Sequence, residues 1–170
     1  DHLAPFMNDF AGGKGCDNRR VIAHVFIMAA VCLGVYLNAV TNGFVGDDPG
    51  FIMDNVAIRS LRNSWAFFYD SRGTLAGHTL PEYGTLIYRP LRTLSYAIDY
   101  SLFGFWAPGY HITSISLHIF ACVLLYFIAA EIFKRYMAAF IASVIFALHP
   151  VHAEAVSWIS SRADILGFIF

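Results

Sequence analysis

Long apolar runs alternate with one broad mixed stretch along this chain, and the alternation predicts its elements. Val21 to Val40 is about 20 residues with His24 as the only ionisable group, enough at 1.5 Å per residue to cover a hydrocarbon core of roughly 30 Å. It predicts a first transmembrane helix. A cleaved signal peptide competes, because Arg19-Arg20 precedes the run. The run exceeds the roughly 7–15 residue core of a signal, and Thr41-Asn42-Gly43-Phe44 offers no cleavage pattern. His111 to Phe133 is apolar apart from His111, His118 and Glu131, predicting a second span, and Tyr136 to Leu148 predicts a short third one. His149-Pro150 interrupts that third run, since the residue before proline is pushed out of helical geometry. A helix broken at that depth is expected to line a protein cavity, because lipid does not tolerate bare backbone. A fourth span is expected from about Asp164 and is cut off at Phe170.

Between the first two spans, Thr41 to Tyr110 mixes apolar and polar positions. Ile52–Phe68 and Leu91–Phe103 read as short amphipathic helices at the membrane interface. Ser71–Gly84, with Pro81 and several glycines, reads as irregular. The basic pairs Arg19-Arg20 and Lys134-Arg135 fall on one side if the first span runs outward from the cytoplasm. That orientation puts residues 41–110 outside and residues 1–20 in a cytoplasmic tail. The chain begins at Asp1 without Met and stops inside an apolar run, which reads as a piece of a longer protein.

Composition agrees with a membrane chain: 58% of residues are hydrophobic and 14% charged, against roughly 25% charged in soluble domains. A net charge of -1 provides no basic surface for nucleic acid, so the lipid bilayer is the expected partner. The fold class expected is all-α, a polytopic transmembrane bundle with residues 21–170 forming the N-terminal part of its membrane domain. Cys16, Cys32 and Cys122 do not form a disulfide framework.

The orientation gathers polar groups from distant segments at one membrane face: Asp47-Asp48, Arg89, His111, His149, His152, Glu154, Arg162 and Asp164. A shared outer cavity follows. Asp47 or Asp48 could serve as a general base; the plainer reading is a helix cap, with Pro49 at the first helical position. His149, His152 and Glu154 have the residue types of metal ligands, but Pro150 spoils their spacing, so hydrogen-bonded cavity histidines are expected and no divalent metal. Arg89, Arg92 and Arg162 could hold a phosphate through forked donors; equally they could snorkel or pair with Asp99 and Asp164. Tyr88, Trp106 and Tyr110 read as interfacial belt residues, and His24 as a helix-contact histidine.

Four segments go further. Phe44-Val45-Gly46-Asp47-Asp48 with Asn55, Tyr88-Arg89-Pro90-Leu91 with Ser95, Gly109-Tyr110-His111 with His118, and His149-Pro150-Val151-His152-Ala153-Glu154-Ala155-Val156 followed by Ser161-Arg162-Ala163-Asp164-Ile165-Leu166 resemble the transmembrane and tetratricopeptide-repeat-containing O-mannosyltransferases. The resemblance covers roughly Arg20 to Phe170, and three positions depart from it. Gly46 stands where a bulky aromatic is expected, Pro49 where a polar residue is usual, and Ser114 where Asn is common.

The resemblance implies a C-type glycosyltransferase: a multi-pass enzyme of the bacterial inner membrane or endoplasmic reticulum. Such an enzyme moves a sugar, mannose, from a polyprenyl-phosphate carrier to Ser or Thr hydroxyls of an acceptor protein. It implies Asp47 or Asp48 as base, Asn55, Arg89, His111, His149, His152, Glu154, Arg162 and Asp164 as substrate-binding residues, no cofactor beyond the lipid-linked sugar, and tetratricopeptide repeats beyond Phe170. A transporter or lipid-flipping protein, or a membrane anchor for a downstream repeat domain, would also place ionisable groups in a membrane cavity. The first should show half-helices in paired repeats. The second would leave the motifs purely structural.

Overall fold

A computed structural model of the chain describes residues 14–69 and 88–170. The described residues are helical throughout, with no strand. Helix α1, Lys14–Tyr36, continues as a 3-10 turn over Leu37–Thr41. Helix α2 is the short Ala66–Tyr69, α3 is Pro90–Phe103 and α4 is Ala107–Phe133. Helices α5, Tyr136–Leu148, α6, His152–Ser157, and α7, Arg162–Ile169, complete the set. The expected irregular stretch Ser71–Gly84 lies outside the described residues, as do residues 1–13 of the expected tail. Residues 14–20 already belong to α1.

Two helices are long and apolar enough to cross a membrane, Asn18–Thr41 and Ala107–Phe133. Helix α5, over Tyr136–Leu148, is apolar but shorter. Helix α4 begins four residues before the expected His111, because Pro108 sits in its first turn, where the missing proline N–H costs nothing. It ends at Lys134, whose φ of 53° closes a left-handed cap bonded to the Ala130 carbonyl at 2.9 Å. With only Lys134 and Arg135 between α4 and α5, the two helices form a tight hairpin. Helix α5 ends where the sequence predicts, at His149-Pro150.

Small side chains set the stem of the molecule. Met28 of α1, Tyr126 and Ala129 of α4 and Ala139 of α5 form one apolar cluster. Cys32 and Tyr36 of α1, Ala121 and Cys122 of α4, Ala147 of α5, and Ala155, Val156 and Ile165 form a second above it. Alanines in the seams let helix backbones approach closely, the usual device of packing in lipid. Phe26, Phe127, Ile132 and Ile145 face outward on the same helices, giving a membrane protein its apolar exterior. His24 is a helix-contact histidine: its Nδ1 lies 3.0 Å from the Tyr126 hydroxyl, and its ring stacks on Phe140.

A third cluster, Ile52, Ile58, Phe67, Tyr96, Ala97, Tyr110 and Ile159, caps the stem at its loop end. The amphipathic helix expected over Ile52–Phe68 is corrected here. The segment breaks into a π-turn over Pro49–Met53, 3-10 turns over Val56–Arg59 and Leu61–Asn63, and α2. The Asn55 side chain accepts from the Ala57 N–H at 3.0 Å, and Ser60 is extended, so short polar side chains compete with helical backbone bonding. The second expected helix is present as α3. Tyr110 is also corrected: it is a core residue, fully buried, whose hydroxyl donates to the Gly104 carbonyl at 2.9 Å. Tyr88 and Trp106 are exposed.

Candidate functional site

The loop after α1 is pinned to the segment between α6 and α7. Asp48 is fully buried, and one carboxylate oxygen accepts from the Val45 N–H at 3.1 Å. Its other oxygen accepts from the Ser160 N–H at 2.8 Å and from the Ser160 hydroxyl. The capping expectation is half right: Asp48 occupies the position before Pro49, but its side chain makes no capping bond. Instead it ties two segments 112 residues apart. The Trp158 indole N–H donates to the Val45 carbonyl at 3.2 Å. Gly46 has φ +58°, and a Cβ there would sit 3.1 Å from the Trp158 ring. A bulky aromatic at 46 would collide with the Trp158 ring.

Beneath this pin lies a buried cation. Arg162 is fully buried, and its Nε donates to Ser114 Oγ at 3.1 Å. Its Nη1 donates to Asp99 Oδ2 at 2.6 Å and Ser95 Oγ at 3.2 Å, and its Nη2 to the Tyr110 carbonyl at 2.7 Å. Thr113 donates to the other Asp99 oxygen at 2.7 Å. Burial lifts the Asp99 carboxyl above its ordinary range, while the Arg162 charge and the Thr113 hydroxyl pull it back. Burial also pushes the Tyr96 phenol up to about 12, and its hydroxyl donates to the Ile159 carbonyl at 2.8 Å. Of the roles open to Arg162, pairing with Asp99 is the one adopted, and every nitrogen of its guanidinium is engaged inside the protein. A hydroxyl at 114 fits the single Nε–H it receives.

A different arginine is left with free donors. Arg92 on α3 is 3% exposed and stacks over Phe51 at 4.0 Å. Among the described residues its Nε and Nη2 have no hydrogen-bond partner. Burial lowers its pKa, with repulsion from Arg89 adding to that and the charges of Tyr96 and Asp47 opposing it. Arg92, Arg89 and Asp164 line a cavity of about 290 Å³ together with residues of α7. Asp47 is exposed beside buried Asp48, so of the acidic pair only Asp47 is open to an incoming group.

The histidine motif lines a second cavity, of about 360 Å³, with His118, Phe146, His152, Glu154 and Asp164. Among the described residues, Arg89 and the His152–Glu154 group thus line separate cavities, with Asp164 on the wall of both. Burial, helped by the nearby His149 charge, lowers the His152 pKa. His149 itself is exposed and accepts from the Val151 N–H at 3.2 Å, with its ring 6.2 Å from that of His152 between centroids. His111 is fully buried against the Asn42 and Gly43 backbone, and among the described residues neither ring nitrogen has a hydrogen-bond partner of good geometry. Asn55 caps a turn and lines neither cavity. Ser160 and Trp158 escaped the sequence reading. Ser160 neighbours the Ser161-Arg162 motif, but nothing in the spacing links it to Asp48.

No family model matches the chain, and no solved structure matches it. Curated proteins do. It is 31% identical over 158 residues to Protein O-mannosyl-transferase Tmtc1 of Drosophila melanogaster, covering 92% of this chain and 17% of that protein. It is 30% identical over 150 residues to Protein O-mannosyl-transferase TMTC3 of Homo sapiens, covering 88% of this chain and 16% of that protein. To Protein O-mannosyl-transferase tmtc2 of Xenopus laevis it is 35% identical over 147 residues, covering 85% of this chain and 17% of that protein. The chain therefore spans about a sixth of the length of these relatives.

Proposed function

The chain belongs to the transmembrane and tetratricopeptide-repeat-containing protein O-mannosyltransferase family, and on that premise we propose that it is the N-terminal membrane part of a multi-pass glycosyltransferase. The donor is a polyprenyl-phosphate sugar, mannose, and the acceptor a protein Ser or Thr hydroxyl on the non-cytoplasmic side. The bundle is of the C-type glycosyltransferase kind, with the loop end facing away from the cytoplasm. The observation that supports this reading is Arg92: a buried guanidinium with two nitrogens unpartnered among the described residues, beside Arg89 on the wall of a cavity. Buried donors left unpaired cost roughly 1–3 kcal/mol or more when charged, a cost that an anionic group seated against the guanidinium would offset.

Asp47 takes the proton of the acceptor hydroxyl, and the oxygen attacks the anomeric carbon. The bond to the carrier breaks, the polyprenyl phosphate leaves with the electron pair, and the anomeric centre inverts. Arg92 and Arg89 face the charge that develops on the leaving phosphate. Asp48 is the poorer base, since both its oxygens already accept bonds from Val45 and Ser160; it positions Asp47 by fixing the loop. His152, Glu154 and Asp164 face the acceptor side through the second cavity. With guanidinium groups at the phosphate, the transfer step itself needs no divalent ion.

The test uses the full-length protein in membranes supplied with radiolabelled polyprenyl-phosphate mannose. Asp47→Asn is expected to cut transfer by about 10²- to 10⁴-fold, the usual cost of a lost general base. Arg92→Met should cut it by about 10²- to 10³-fold, as for a lost oxyanion donor. Transfer at the parental rate in both variants overturns the reading.

A further inference from the structure

One cluster of ligating side chains lies apart from both arginine centres, in the seam between α1 and α4. His118 and Cys122 are four residues apart on α4, which places them on one face, and Cys32 of α1 meets them. All three are buried. The Cys32 and Cys122 sulfurs are 4.0 Å apart, and Cys122 Sγ lies 3.8 Å from His118 Nε2. The three ligand atoms all fall within 4.8 Å of one another.

We propose that Cys32, His118 and Cys122 bind a zinc ion that staples α1 to α4. With Zn–S near 2.3 Å and Zn–N near 2.0–2.1 Å, two sulfurs on one tetrahedral ion lie roughly 3.8 Å apart and a sulfur and nitrogen roughly 3.5 Å apart. The Cys32–Cys122 and Cys122–His118 separations need a few tenths of an ångström of contraction, and the Cys32–His118 pair, within 4.8 Å, needs up to about 1.3 Å. A disulfide, at roughly 2.05 Å, needs the sulfurs to close by about 2 Å from their 4.0 Å separation, and it leaves His118 unused. Charge decides the ion. Two thiolates and a neutral imidazole around Zn²⁺ sum to zero, whereas around Cu⁺ they leave a net negative charge in an apolar seam, where an unpaired charge is costly.

Binding forms two Zn–S bonds and one Zn–N bond and releases both thiol protons. His118 also lines the cavity shared with His152 and Glu154, a polar route for the ion inward and the protons outward. The His152 ring, 5.3 Å from that of His118 between centroids, is the nearest imidazole able to close the fourth position. Freeing His118 Nε2 from the Ala147 carbonyl, 3.4 Å away, leaves that carbonyl bonded to the Tyr36 hydroxyl at 3.2 Å. The ion therefore strands no buried acceptor.

The full-length protein, purified with reductant and incubated with Zn²⁺ or Co²⁺, tests this. About one ion per chain is expected, with the tetrahedral thiolate–cobalt charge-transfer band characteristic of mixed sulfur and nitrogen ligation. Stoichiometry should fall about tenfold in Cys32→Ser and in Cys122→Ser and hold in the control Cys16→Ser. Should either serine variant fold poorly, a second measurement on the parental protein decides: bound Zn²⁺ must protect Cys32 and Cys122, and not Cys16, from maleimide in detergent. Absence of uptake, equal uptake by the Cys32→Ser/Cys122→Ser double variant, or unprotected thiols overturns the proposal, as does a Cys32–Cys122 disulfide in protein isolated without reductant. Because the readout is metal, its failure is distinguishable from failure of the transferase reading.

Discussion

The stem and the loop end of this molecule are held together by different physics. In the stem, α1, α4 and α5 meet through alanines, a methionine and tyrosines, and the polar contacts are single bonds such as Tyr36 to the Ala147 carbonyl at 3.2 Å. At the loop end, short turns with little repeating structure are fixed by buried charge, with Asp48 clamped by Ser160 and Arg162 engaged at every nitrogen. Apolar packing tolerates small changes because it is spread over many contacts. A buried ion pair does not, since removing one partner strands the other. The contrast suits the proposed transferase, whose reactive groups would need to be rigid where the backbone is irregular.

The largest effect expected follows from breaking the buried pair. Arg162→Met should cost about 3–5 kcal/mol, because Asp99 is left charged and unpaired at 1% exposure. Unfolding of the full-length protein in mixed micelles measures it, and Arg162→Met/Asp99→Leu should recover much of the loss. A small loss in the single variant would mean that the loop end is no more dependent on charge than the stem.

Overpacking the stem is the counterpart. Ala147→Leu places a larger side chain at a fully buried seam position and should cost about 1–3 kcal/mol, with transfer declining only through lost protein. Loss of transfer at normal abundance would join stem and site more closely than the comparison allows. At the loop end, Gly46→Ala should cost about 1–2 kcal/mol, the left-handed penalty for an L side chain; its Cβ also meets Trp158 at 3.1 Å. The expected signature is a weakened Asp48–Ser160 clamp, read as faster proteolysis of the loop after α1.

The smallest effect is pH dependence at the second cavity. The His152 pKa is lowered below 6.5 by burial and by His149, so the unfolded chain takes the proton first as pH falls. The stability that neutral His152 contributes is complete above pH 6.5 and is lost as pH drops from there through its lower folded value. His118, Glu154 and Asp164 face the same cavity, so the check is a difference: His152→Gln should flatten the slope of stability below about pH 6.5 relative to the parent. Unchanged slopes would place the proton elsewhere.

Much of the stem was legible because lipid-facing and seam-facing helices need long apolar runs, and such runs leave a one-dimensional trace. The apolar helix Tyr136–Leu148 matches its expected bounds, and Pro150 marks its end as proline must. The loop end was legible only as an inventory. Asp48, Arg92 and Arg162 were named, but which acid faces solvent, which arginine keeps free donors and which carboxylate pairs inside depend on side-chain neighbours up to 112 residues away. Ile52–Phe68 misled because its apolar spacing suits a helix while Asn55 and Ser60 break it locally. By itself the sequence determined an all-helical membrane chain, its apolar helices and the family it belongs to, because hydrophobic period and motif are local properties of the chain. Only the tertiary structure decided that Asp48 clamps Ser160, that Arg162 pairs with Asp99 while Arg92 keeps two nitrogens unpartnered among the described residues, and that Cys32 meets His118 and Cys122, because burial and partnership exist only once distant segments share one interior.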